Sequence, residues 1–203
     1  MLAKLNAFAL VGIDAVPVEV EVDCGHGTSK TILVGLPELA VRESVHRIER
    51  ALANLGYHRP AGRNTINLAP ADLRKDAGAF DLPIALGLLA ASHQVKPEQV
   101  QRFATVGELA LDGSVRPVRG ALSIALAARQ CGATHLIVPA ANAREASVVK
   151  EIAVYGVTSL AEAVGLVTGS VDIDPVSPGI DDLTAKMNRY EVDFADVRGQ
   201  EFA

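Results

Sequence analysis

The chain has no tryptophan, and aromatic residues make up only 4% of its 203 positions. Its core must therefore rest on Ala, Val, Leu and Ile. Hydrophobic residues reach 49%, so a sizeable core can be buried. Cysteine is almost absent. Cys24 and Cys131 alone cannot form a disulfide framework, so a reducing, cytoplasmic setting is expected. No apolar run reaches the roughly 18 residues that span a bilayer. The opening MLAKLNAFALVGIDAV carries one lysine and a short apolar stretch before Asp14, and reads as a first strand rather than a signal peptide.

Net charge is also missing from most of the chain. The total of -5 sits entirely in residues 169–203, where eight acids face three bases, and residues 1–168 are neutral. Within that body, residues 42–75 hold seven bases (Arg42, Arg47, Arg50, Arg59, Arg63, Arg74, Lys75) against Glu43, Glu49 and Asp72. Such an excess attracts phosphate if the side chains share a face. The plainer reading is a solvated helix face with ion pairs.

The patterned segments come in a definite order. VPVEVEVD, residues 16–23, alternates as a half-buried strand. A Gly-rich turn and the apolar TILVGL follow, and the spacing predicts a hairpin. Val41, Val45, Ile48, Leu52 and Leu55 recur in steps of four and three, which puts them on one face of a helix over 38–55, with Gly56 as its stop. RNTINLA reads as a strand. Residues 82–91 read as an apolar helix with Pro83 in its first turn and Asp81 as N-cap.

Beyond them, residues 103–118 read as a second hairpin turning at Asp112-Gly113. A helix closed by Gly132, a strand at THLIVP, a short helix capped by Asn142, a strand at EIAVYGV and a helix capped by Ser159 complete the body. Strands in runs, then strands alternating with helices, predict an α+β or α/β sandwich. Residues 1–168 form the expected domain. Residues 169–188 read as an acidic, Pro/Gly-containing linker, and 189–203 as the start of a further domain.

Three motifs invite chemistry and fall short of it. GHGTSKT, residues 25–31, resembles a phosphate loop ending at Lys30, but Cys24 and Ser29 stand where glycines are needed, and a strand follows instead of a helix. Cys24, His26, Cys131 and His135 are acceptable zinc ligands at spacings that match no usual zinc module. KDAGAFDLPIAL, residues 75–86, looks like a turn that presents a nucleophile at a helix N-terminus. No Ser, Thr or Cys lies between Lys75 and the helix. A Ser–Lys hydrolase would have to use Ser114 or Ser123, and no lysine is placed beside either.

INLAPADLRKDAGAFDLPIALGLLAAS, VGELALDGSVRPVRGALSIALAA and VGIDAVPVEVEVDCGHGTSKTILVGLPELAVRESVHRIERAL together resemble the N-terminal domain of the YifB/ComM family, the magnesium-chelatase-related (ChlI-like) AAA+ ATPases. The resemblance covers about residues 3–168 in order and spacing. DFADVRGQEFA resembles the entry to that family's AAA+ module.

The resemblance implies an α+β, ribosomal protein S5 domain 2-like sandwich of mixed sheets and helices, similar to the proteolytic domain of Lon. Lon-type proteases carry their serine in a K-D-G-P-S-A-G-like turn, whose counterparts here are Ala79, Phe80 and Asp81. Their lysine comes from a P-I-G-G-L-K-E-K-like segment, matched by PVRGALSIA, with Leu122 or Ile124 at its place. Losing nucleophile and base together removes the chemistry.

The resemblance thus implies a non-catalytic accessory domain without cofactor or metal of its own. It implies ATP and magnesium in an AAA+ part beyond it, hexamer-forming partner subunits, and work on DNA in branch migration during natural transformation. Arg42, Arg47, Arg50, Arg59, Arg63 and Lys75 are the expected DNA or inter-subunit contacts. The competing expectations are a residual serine peptidase and, from the family label, a magnesium chelatase subunit. Against the last, the sequence offers no aromatic cluster for a macrocycle.

Overall fold

The computed structural model describes residues 1–35, 39–58, 60, 62–73, 75 and 79–177, and only the backbone of residues 39, 40 and 42. The expected domain start at 189–203 lies outside the described residues, as does most of the expected linker.

Strands β1 (Leu2–Val11) and β2 (Asp14–Gly25) form a long antiparallel hairpin. After β3 (Lys30–Val34), helix α1 (Leu39–Asn54) and β4 (Arg63–Ala69) come α2 (Asp81–Ala91) and the one-turn α3 (Pro97–Val100). Short strands β5 (Ala104–Thr105), β6 (Glu108–Leu109) and β7 (Val115–Arg116) follow. The rest alternates: α4 (Ala121–Gln130), β8 (His135–Pro139), α5 (Ala140–Ala146), β9 (Ala153–Val157), α6 (Leu160–Thr168). Seven strands make one mixed sheet in the order β3-β4-β2-β1-β5-β8-β9, and β6-β7 stand apart as a two-stranded ribbon.

Two core clusters, one on each face of the sheet, hold the layers together. Val18, Val20 and Val22 of β2 and Ile66 and Leu68 of β4 face α1, α2, α3 and α6. Phe8, Leu136, Val138 and Val154 face α4 and α5. Strand alternation sends every second residue to one side, and helices cover the apolar side. All eleven residues of α2 are buried. An all-apolar helix with no polar face must be enclosed on every side, and α2 lies between the sheet and α1.

Several expectations are corrected. TILVGL does not pair with β2. Strand β4 inserts between them, antiparallel to β2 and parallel to β3. The alternation of β4, with Asn64, Ile66 and Leu68 all buried, matches a central position better than the edge, which the weakly buried β3 takes. Residues 103–118 do not form one hairpin: Ala104–Thr105 joins the large sheet, and only 108–116 turn back on themselves. Asn142 caps no helix. It lies within α5, and its amide accepts from Val118 N–H and donates to Val118 C=O. Ser159 does cap α6, accepting from Glu162 N–H.

The packed unit also continues past residue 168. Ile173 lies against one cluster and Val176 against the other, and Val176 N–H donates to Val154 C=O at 2.8 Å. No helix among the described residues is long and apolar enough to cross a membrane.

Candidate functional site: the protease-like turn and the basic residues

The turn before α2 is held by backbone and side chain alike. Gly107 N–H donates to Ala79 C=O at 3.0 Å, and Leu82 N–H donates to Gly107 C=O at 2.9 Å. This clamps the turn to the segment after β5. Ala79 then packs on the cluster that contains Ala121 and Ile124 at the start of α4. Ala79 and the start of α4 thus border the same apolar cluster. Phe80 is buried in the other cluster, and Ile124 is core. Ala79 is half-buried, and Leu122 reaches solvent at 39% exposure.

Asp81 is not the N-cap expected of it. Phe80 takes that position, and Asp81 is the first helical residue. Its carboxylate is fully buried and binds Arg47 of α1, which donates from Nε to Oδ2 at 3.1 Å and lies with Nη2 at 3.0 Å from Oδ2 and 3.3 Å from Oδ1. Leu109 N–H donates to the same carboxylate at 3.1 Å. One carboxylate thus ties α1, α2 and β6 together. Burial outweighs the Leu109 bond and the Arg47 charge, so its pKa is pushed up to about 6. Arg47, expected at a DNA or subunit contact, is engaged inside this fork.

Lys75 is corrected more sharply. It is buried, and its ammonium donates to the carbonyls of Gly35, at 2.8 Å, and Pro70. Burial lowers its pKa. An ammonium enclosed between two carbonyls offers no surface to a phosphate. It acts instead as an internal clip between the end of β3 and the chain after β4.

Of the remaining bases, the described Arg50 and Arg63 do not converge. Arg50 is exposed on α1. Arg63 points to the opposite side of the sheet, because Asn64, Ile66 and Leu68 point toward α1 and α2. That opposite side carries Glu19, Glu21 and Asp23 of β2, with Lys4 of β1 bound to Glu19 at 2.9 Å and to Glu21 at 2.8 Å. Asn67 also donates to Glu21. The Lys4 bond holds the Glu21 pKa below its ordinary value, so this face keeps its negative charge. The Arg42 side chain and Arg59 lie outside the described residues. Among the described residues, Arg50 and Arg63 do not share a face.

Both candidate serines are engaged by protein oxygens. Ser114 Oγ donates to Asp112 at 2.7 Å, and Ser123 Oγ donates to Ile13 C=O at 2.6 Å. The zinc set is not assembled: among the described residues no group of three or more His, Cys, Asp or Glu could hold a metal. The turn after Gly25 leads into strand β3 and builds no helix-based phosphate cradle. Sequence reading missed one feature, an open cleft of about 580 Å³ whose lining includes Cys24, His26, Pro60 and His93. Its lining is drawn from segments far apart in the chain, so no local motif announces it.

A seven-stranded mixed sheet with helical layers on both faces defines a mixed α/β domain. The chain belongs to the ChlI family: the family described as "Subunit ChlI of Mg-chelatase" matches residues 20–142. It is similar to the competence protein ComM of Haemophilus influenzae, 37% identical over 203 residues, which is all of this chain and 40% of that protein. It is likewise similar to the YifB proteins of Salmonella typhimurium, 38% identical over 201 residues (98% of this chain, 38% of that one), and of Escherichia coli, 46% identical over 131 residues (64% and 26%). The chain spans about two fifths or less of the length of these relatives.

Proposed function

We propose that the chain is the non-catalytic, Lon-like accessory domain of a ComM/YifB-type AAA+ ATPase. The observation that carries the reading is the missing dyad. The two segments that resemble a protease's nucleophile and base segments hold Ala79, Phe80 and Asp81 in one and Leu122 or Ile124 in the other, where a hydroxyl and an amine are required. Family membership supports the motor assignment, since relatives matched over the whole of this chain continue well beyond it. In this reading ATP and magnesium bind in that further part, subunits assemble as a hexamer in the cytoplasm, and the machine works on DNA. The competence name of the Haemophilus relative favours DNA handling over macrocycle chemistry. The S5 domain 2-like fold is part of the same proposal.

The test uses the full-length protein. ATP hydrolysis stimulated by branched DNA, with no cleavage of unstructured casein, is the expected result. Casein cleavage abolished by Ser114→Ala or Ser123→Ala would establish the peptidase instead. The family's printed description supports a second reading, a magnesium chelatase subunit. Magnesium insertion into a porphyrin by the full-length protein with its partner subunits would establish that one.

A further inference from the structure

Three large apolar side chains stand in solvent beside α4. Ile13 sits in the β1–β2 turn at 85% exposure, and Leu122 and Leu126 lie one turn apart on the outer side of α4 at 39% and 38%. The Ser123 hydroxyl donates to Ile13 C=O, which pins the turn against the helix. Leu10 lies over Gly120, where a Cβ would meet its methyl at 2.8 Å. The patch is therefore held in shape, not left loose. The turn itself gives no reason for an isoleucine. Gly12 supplies the positive φ, and its neighbour in such a turn is ordinarily Asn, Asp or Gly. Grouped exposed aliphatics of this kind mark contact surfaces.

The path of the chain says what covers them. Beyond α6 the chain passes Ile173, on the α1/α2 side, and crosses the free edge of β9. Val176 then packs on the α4/α5 side. It thus arrives on the side of the sheet that carries α4, and relatives matched along this whole chain are about two and a half times as long.

We propose that Ile13, Leu122 and Leu126 form the seat on which the ATPase part of the same polypeptide docks, an inference that rests on the proposed function. The test is thiol labelling of the full-length protein carrying Ile13→Cys or, separately, Leu126→Cys, read by peptide mass spectrometry. Native Cys131, exposed at the end of α4, serves as internal reference. The expected result is labelling at 13 and 126 slower than at Cys131 by about tenfold or more, because the docked part must open first, at every protein concentration. Labelling as fast as at Cys131 would overturn the proposal. So would protection lost on dilution, which would assign the patch to a second copy. ATP turnover by the same samples reports the motor reading separately, so failure of one is not mistaken for failure of the other.

Discussion

Lys75 and Asp81 sit six positions apart; the first was expected at a DNA or subunit contact and the second as a helix N-cap. Burial changes what each can do. Lys75→Met leaves two carbonyls without their donor, and should cost roughly 2–4 kcal/mol in urea unfolding. It should leave the salt dependence of DNA binding by the full-length protein unaltered; a flatter slope would return Lys75 to the contact list. Asp81 has a pH signature of its own. Its folded pKa, about 6, exceeds the ordinary value of 3.8, so the folded state holds the proton more tightly than the unfolded one. This carboxyl therefore adds stability as pH falls from about 7 to 4, and that contribution is lost as pH rises through 6. Comparing urea midpoints across that range, the wild type should gain relative to Asp81→Asn on acidification, by at most about 3 kcal/mol. Parallel profiles for the two proteins would show that burial does not dominate at this site.

Among the elements, α2 is the most constrained. A Cβ at Gly87 would meet Val22 at 2.6 Å and Leu5 at 3.1 Å, so glycine lets the helix sit directly on β1 and β2. Alanine is the better helix former by about 1 kcal/mol. Overpacking of this contact costs about 1–3 kcal/mol, and we expect Gly87→Ala to lower the midpoint of thermal unfolding. The cap of α6 is a milder case. Ser159→Ala should cost about 1 kcal/mol in the same measurement, with the fold retained, because Leu160, Ala163 and Val167 still anchor the helix in the core.

At the scale of the whole molecule, the basic cluster divides. Arg50 and Arg63 lie on opposite sides of the sheet, and Arg63 shares its side with Glu19, Glu21 and Asp23. Arg63→Glu should therefore leave the slope of log affinity against log salt unchanged for DNA binding by the full-length protein. A drop of about 1 would put Arg63 on a phosphate.

Much of this was legible beforehand. The period of Val41, Ile48 and Leu52 located α1. Alternation located β2 and β4. The apolar stretch 82–91 located α2, and no Ser, Thr or Cys lies between Lys75 and that helix. These features are local: a face is set by periodicity, and chemistry by the presence or absence of an atom. What only the tertiary structure decided was pairing and side. Strand β4 enters between β2 and β3, Asp81 turns to Arg47 of another helix, Lys75 closes on two distant carbonyls, and the arginines separate onto opposite faces. Each depends on which segments come together across the sheet, and no local pattern along the chain encodes that choice.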